Sequence, residues 1–270
     1  MHFYDGCTAL VTGASSGLGT EFARQLAPYA GRLILTARRV ERLESLKRVL
    51  EAENPDLQVF IYGADLADEN KVAEFVQWLN DAGLRINFLV NNAGRGDYGP
   101  FIESDWESVR QMIEVNIKAL TKLTHALLPM LREYPVAAIL NVSSIASLLP
   151  LPDTAVYAAS KAYVTSFSEA LRAELRGTGV SVTALCPGPV LTEFGSIAMR
   201  DPDQPMPVPE VFLVSPERVV ADGLRAVVQD RARIIPGWLM ATAMVLTAAV
   251  PMILLRLILN RRPKEWFHKE

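Results

Sequence analysis

Apolar and polar positions fall into two kinds of block along this chain. Short, nearly continuous apolar runs at 9–11, 31–36, 57–62, 86–90, 136–142, 180–186 and 231–235 predict seven strands. Runs of that kind suit a parallel sheet covered on both faces. Between them lie stretches with helical spacing. Glu21–Tyr29 carries Phe22, Leu26 and Tyr29 as its stripe, Val40–Glu53 carries Leu43, Leu46 and Leu50, and Glu69–Asp81 carries Val72, Phe75, Val76 and Leu79. Asp105–Leu131, Ala155–Leu175 and Pro216–Val228 complete the predicted helices. Strands alternating with helices predict an α/β domain. Prolines at 189, 202, 205, 207 and 209 forbid a continuous helix over 189–214, which is therefore expected to be an irregular lid at least in part. From Trp238 to Leu259 the chain is almost wholly apolar, broken by Thr242, Thr247, Pro251 and Arg256.

Composition narrows the function classes. With 270 residues, half of them hydrophobic, the chain can bury one large core. A formal charge of -3, and no basic tract before the last few residues, exclude a nucleic-acid surface. Cys7 and Cys186 sit inside apolar runs and read as buried thiols. His2, His125 and His268 lack metal-ligand spacing, so no metal is expected. Asp5 stands early and no long apolar stretch follows the N-terminus, which favours a cytoplasmic protein without a signal peptide.

Candidate chemistry clusters at strand ends. Leu10-Val11-Thr12-Gly13-Ala14-Ser15-Ser16-Gly17-Leu18-Gly19 joins the first strand to the first helix. Gly13 can permit a tight turn, Gly17 a close approach of backbone to phosphate, and Gly19 close packing of helix on sheet. The helix start then offers free N–H groups to a pyrophosphate. The spacing departs from G-x-G-x-x-G, and an ordinary strand–helix turn would also use these glycines. At the end of the second strand stands Arg38, where an NAD-preferring site carries an acidic residue. An arginine there can pair with a 2′-phosphate; Arg39 reads as a solvent-facing charge. Asp65 could accept from an adenine amino group or, like Asp68, cap a helix. Asn91-Asn92-Ala93-Gly94 ends the fourth strand, and Asn116 stands among apolar neighbours inside a predicted helix, where a buried amide needs partners. Ser144 follows the fifth strand. Tyr157 and Lys161 share one helical face. A phenol can protonate a developing alkoxide, a nearby ammonium lowers its pKa, and a serine hydroxyl can hold a carbonyl oxygen.

Taken in order, Thr12–Gly19, Asp65, Asn91-Asn92-Ala93-Gly94, Asn116, Ser144, Tyr157-x-x-x-Lys161 and Pro187-Gly188 resemble the short-chain dehydrogenase/reductase family over residues 7 to about 235. The resemblance implies a Rossmann-type doubly wound parallel sheet of seven strands with helices on both faces, and a nicotinamide cofactor. It implies Tyr157 as acid/base, Lys161 as its pKa-lowering partner and a ribose contact, Ser144 as holder of the substrate oxygen, and Asn116 as anchor of a relay water. For the cofactor it implies Gly13, Ser15, Ser16, Gly17, Leu18, Gly19, Arg38, Asp65, Leu66, Asn92, Ala93, Gly94, Tyr157, Lys161, Pro187, Gly188, Val190 and Thr192. Arg38 matches the basic position of NADP-preferring members and favours NADP(H) over NAD(H). Ser16 departs from the second basic position those members use. The family also implies a homodimer or homotetramer built on the two long helices.

The expected layout is one dehydrogenase/reductase domain over 1–237, with its lid at 189–214, and an apolar extension over 238–270 with a basic tail. For that extension three readings stay open: peripheral membrane contact through 238–264, where Arg261, Arg262 and Lys264 suit an anionic surface; an oligomer contact; and a tail folded over the substrate pocket. The length of the apolar stretch could span a membrane, but Pro251 and Arg256 argue against a clean span. The expected reaction is hydride transfer between NADP(H) and a carbonyl or secondary alcohol. Phe194, Ile197, Met199, Met206, Val208, Val211, Phe212 and Leu213 in the lid point to a hydrophobic or lipid-like substrate. Arg200 is the only basic residue between Pro187 and Arg218, which disfavours a small dianion. The alternatives are a non-catalytic nucleotide-binding scaffold docking through its apolar C-terminus, an NAD-dependent small-carbonyl dehydrogenase, and epimerase or dehydratase chemistry.

Overall fold

The computed structural model describes residues 3–200 and 210–250. Seven strands, β1 (Thr8–Thr12), β2 (Arg32–Ala37), β3 (Gln58–Gly63), β4 (Phe88–Asn91), β5 (Ala137–Val142), β6 (Val180–Leu185) and β7 (Arg233–Ile234), form one sheet in the order β3-β2-β1-β4-β5-β6-β7. Every neighbouring pair is parallel. The strand order reverses beside β1, which opens a crevice at the carboxyl ends of β1 and β4.

Side-chain alternation builds a core on each face. Ala9 and Val11 of β1 and Leu33 and Leu35 of β2 pack under α1 (Gly17–Leu26), α2 (Val40–Glu53) and α8 (Pro216–Val228). Leu10 and Ile34 point the other way, toward α3 (Glu69–Asp81), α5 (Leu120–Leu131) and α6 (Ala155–Glu174). Both faces are therefore covered, which is why the strands read as unbroken apolar runs. Asp68 caps α3 by accepting from Asn70 N at 2.8 Å, and Ser215 caps α8 ahead of Pro216.

Two expectations need correction. The first helix ends at Leu26, so Tyr29 lies beyond it and is exposed. The Asp105–Leu131 stretch is helical but not uniform: α4 (Trp106–Ile113) runs into a π-helical turn at Glu114–Ala119 before α5. The last helix, α9 (Trp238–Ala249), stops at Val250, whose extended ψ of 126° is what a following proline imposes. Its 12 residues reach about 18 Å, short of the ~30 Å of a bilayer core. Among the described residues no helix is long and apolar enough to cross a membrane. The basic end of the tail and lid residues 201–209, including Met206 and Val208, lie outside the described residues.

Candidate active site

The glycine turn is shaped by contact. Gly13 has φ +67°, and a Cβ there would sit 2.8 Å from Ala93 Cα. A Cβ on Gly19 would meet the Gly13 carbonyl oxygen at 2.1 Å. Both positions require glycine because helix and strand meet here at backbone distance. Asn92 ties the turn to the end of β4: its Nδ2 donates to Thr12 O at 2.9 Å and Gly13 O at 3.3 Å. Thr12 Oγ1 in turn accepts from Asn92 N and Ala93 N, each at 3.0 Å. Ser16 is the N-cap of α1 but makes no side-chain cap bond. Leu18 packs down onto the core. First-turn N–H groups without a side-chain acceptor, beside glycines that leave room, fit a pyrophosphate.

The remaining predicted cofactor residues line the same edge. Arg38 is exposed at the end of β2 and forms no ion pair among the described residues. Arg39 reaches back to Ser15, its Nε donating to Oγ at 3.4 Å, and pairs with Glu193. Asp65 is exposed and accepts from Ala67 N at 3.0 Å, leaving the capping of α3 to Asp68; Leu66 is buried in the second core. Pro187 O accepts from Ile145 N at 2.9 Å, Val190 packs on the first core, and Thr192 lies over Gly17.

The hydroxyl and ammonium groups meet at the ends of β4 and β5. Lys161 projects from α6 into the interior, and its Nζ donates to Val142 O at 2.9 Å. The residue is buried, and that desolvation brings its pKa down to about 8. Nζ lies 5.9 Å from the centroid of the Tyr157 ring. Burial pushes the Tyr157 phenol up, and a hydrogen bond with the Ser144 hydroxyl pulls it partly back. The phenol is thus raised here, where the sequence pattern anticipates lowering by lysine: the low-polarity surroundings that shed charge from Lys161 also disfavour phenolate. Ser144 Oγ also caps a short 3₁₀ turn over Ile145–Leu148 by accepting from Ala146 N at 3.1 Å.

Asn116 sits in the π-helical turn, fully partnered. Its Oδ1 accepts from Arg95 N at 2.8 Å, and its Nδ2 donates to Arg95 O at 2.9 Å and to Ser160 Oγ at 2.9 Å. Ser160 Oγ donates to Tyr157 O at 2.7 Å, so Asn116 is joined to the helix that carries Tyr157 and Lys161. A Cβ on Gly94 would come within 3.3 Å of Lys161 Nζ and 3.4 Å of Asn116 Oδ1. Residues outside the predicted set complete the support. Ser143 Oγ donates to Lys161 O at 2.9 Å and meets Thr165 Oγ1 at 2.6 Å. Ser160 and Thr165 flank Lys161 in sequence, but only helical folding against β5 makes them partners. Asn116, Ser144, Tyr157 and Lys161 therefore converge on one edge.

The lid closes this edge. α7 (Glu193–Ala198) places Phe194 against Tyr157, with ring centroids 5.9 Å apart. Beyond it Arg200 clasps Asp97, with Nε–Oδ1 at 2.9 Å and Nη2–Oδ2 at 2.6 Å. On α9, Met240 and Met244 are buried, and Met240 Cε lies 3.3 Å from where a Cβ on Gly188 would be. The described part of the apolar tail thus packs beside Gly188, while Trp238 and Leu246 on it stay exposed.

Comparison with known proteins bears on this geometry. The family model described as short chain dehydrogenase matches residues 7–202. A sulfoacetaldehyde reductase of Chromohalobacter salexigens is 43% identical over 189 residues, covering 68% of this chain and 72% of that protein. A very-long-chain 3-oxoacyl-CoA reductase of Homo sapiens is 33% identical over 220 residues, covering 78% of this chain and 68% of that protein. Among solved structures, a short-chain dehydrogenase from Sphingobium yanoikuyae in complex with NADPH superposes with a TM-score of 0.77 at 28% identity, over 91% of this chain and 96% of that one.

Proposed function

The chain belongs to the short-chain dehydrogenase/reductase family and is an NAD(P)-dependent oxidoreductase; on that premise we propose that it interconverts a hydrophobic carbonyl compound and its secondary alcohol with NADP(H). The observation that carries the reading is a phenol and an ammonium, Tyr157 and Lys161, set at the sheet edge with Phe194 against Tyr157 and Met240 packed beside Gly188.

The glycine turn with Ser15, Ser16 and Leu18 would hold the pyrophosphate, Asp65 the adenine side, Arg38 a 2′-phosphate, and Tyr157 and Lys161 the nicotinamide ribose. Bound there, the cofactor supplies or accepts the hydride. Ser144 and Tyr157 hold the substrate oxygen between them. Tyr157 enters protonated, since burial raises its pKa, and donates its proton to the oxygen as negative charge develops there. Lys161, with a pKa near 8, supplies positive charge beside the resulting phenolate and can release a proton near neutrality. Asn116 keeps the helix segment carrying both residues in register through Ser160. Phe194 and Met240 exclude water and favour an apolar group beside the carbonyl.

A second reading, reduction of a small sulfonated aldehyde, is favoured by the name of the 43% identical relative. Against it stands the use of Arg200, the only basic residue between Pro187 and Arg218, in its clasp with Asp97. An NADPH-oxidation screen of the full chain separates the two, using long-chain ketones, steroids, sulfoacetaldehyde and small polar ketones. The proposal expects the highest kcat/KM on the bulky apolar compounds, with Met240→Ala shifting preference toward larger ones. Turnover confined to sulfoacetaldehyde and small polar ketones overturns it.

We further propose a dimer or tetramer built on the α4–α5 and α6 surfaces. An open groove of about 480 Å³ lies there, lined by Val72, Ile117, Thr121, His125 and Tyr163 among others. An isologous partner would fill it with the same helices. Light scattering is expected to give at least twice the chain mass, and a monomer at all concentrations rejects the proposal.

A further inference from the structure

The lid helix is fastened at both ends by ion pairs, and the two fasteners stand on opposite sides of the cofactor crevice. At its far end Arg200 holds Asp97 on the loop after β4. At its near end Glu193, the first residue of α7, bridges two arginines. Its Oε2 lies 3.0 Å from Arg39 Nη1, and its Oε1 lies 2.7 Å from Arg42 Nη1. These contacts join residues more than 150 positions apart in the chain. They differ in that respect from the i,i+3 and i,i+4 pairs elsewhere on the surface, such as Lys71–Glu74 and Lys47–Glu51, which tie a helix only to itself.

The position of this bridge matters more than its strength. Arg39 follows Arg38 directly and also touches Ser15 of the glycine turn, so Glu193 sits at the corner where the adenosine ribose is read. Thr192, its neighbour, lies over Gly17. The two guanidinium groups hold the Glu193 carboxyl below its usual range, so it is ionised at neutral pH. A 2′-phosphate carries close to two negative charges and offers three acceptor oxygens, so it outcompetes a carboxylate for a guanidinium that both can reach.

We propose that Glu193 is a determinant of cofactor choice and a link between cofactor and lid: its carboxylate occupies Arg39 and must yield when a 2′-phosphate enters, whereas a cofactor without that phosphate leaves the bridge intact. The inference rests on the reading of Arg38 as the 2′-phosphate position. In this arrangement Glu193 weakens NADP(H) binding through like charge and leaves NAD(H) binding almost untouched. It also transmits the presence of the phosphate to α7, whose near fastener is reduced to Arg42 while Arg200 keeps the far one.

The test uses the full chain with Glu193→Gln, which keeps size and polarity at an exposed position. Titration calorimetry measures dissociation constants for NADPH, NADH, adenosine 2′,5′-bisphosphate and 5′-AMP. Removing one exposed charge from such a cluster should tighten NADPH and the bisphosphate about three- to fivefold, with NADH and 5′-AMP changed less than about twofold. An unchanged or weakened affinity for NADPH and the bisphosphate overturns the selector role. Hydrogen exchange over 193–199 in the wild type reads the link to the lid: faster exchange with the bisphosphate than with 5′-AMP supports it, and equal exchange overturns it. A wild type that binds NADH more tightly than NADPH tells against the cofactor reading alone. The Glu193 inference falls on a different result, an NADPH-to-NADH ratio that the substitution does not move.

Discussion

Two polar clusters border the same crevice and are built on opposite principles. Around Lys161, Asn116 and Tyr157 the polar groups are largely withdrawn from water, and the amide of Asn116 and the ammonium of Lys161 each have a named partner. Around Arg39, Arg42 and Glu193 the side chains are more than a third exposed and held mainly by ion pairs at the surface. The first arrangement is costly to disturb, because a lost partner leaves a buried group unsatisfied. The second is screened and exchangeable, with each pair worth little. On the proposed function, chemistry that needs fixed geometry would occupy the buried cluster, and recognition that must come and go with a ligand would fall to the exposed one.

The comparison is broken most severely at Tyr157. Tyr157→Phe removes the proposed proton donor while keeping the ring beside Phe194, and is expected to lower kcat by about 10²–10⁴-fold. NADPH binding, measured by fluorescence titration, should stay within a few-fold. Retention of most hydride-transfer activity would remove Tyr157 from the mechanism. At the exposed cluster the largest change is Arg38→Asp, which replaces attraction by repulsion. It should weaken NADPH by roughly ten- to a hundredfold, the range of one lost charge-assisted contact, and NADH far less. Equal wild-type affinities for the two cofactors would reject the assignment.

The smallest effect is a matter of pH. Lys161 titrates near 8 when folded, against an ordinary value of 10.5. The unfolded chain therefore binds more protons between those values, and stability of the cofactor-free protein rises as pH climbs from about 8 toward 10.5. Below pH 8 the folded state bears the full cost of a buried ammonium. Lys161→Met should then stabilise the protein at pH 7 by about 1–3 kcal/mol and flatten that rise, as read by urea denaturation across pH. A parallel pH dependence in wild type and variant would show that the burial cost lies elsewhere.

Much of the fold was legible because its signals are local. The predicted bounds of α2, α3 and α8 coincide with the observed ones, fixed by leucine stripes, the Asp68 cap and the Ser215-Pro216 start. The doubly wound parallel sheet followed from apolar runs only together with the motif order that resembles a known family. Tyr29 misled because its spacing continues the stripe of α1, whereas the chain turns at Ala27 toward β2. The π-helical turn at Asn116 is hard to read from the chain because its one-residue insertion only shifts the phase of an apolar stripe that is broad on both sides of it.

The chain's own residues, read in order, determined that strands would alternate with helices, that glycines would crowd the end of β1, and that Tyr157 and Lys161 would share a helical face. These are consequences of spacing along a few turns. Only the tertiary structure decided that Met240 packs beside Gly188, that Arg200 is taken by Asp97, and that Glu193 faces Arg39 and Arg42. Such pairings join segments from about fifty to more than 150 residues apart. They depend on how the doubly wound sheet and the segments after β6 bring loop ends together, and no local propensity specifies which charge will meet which.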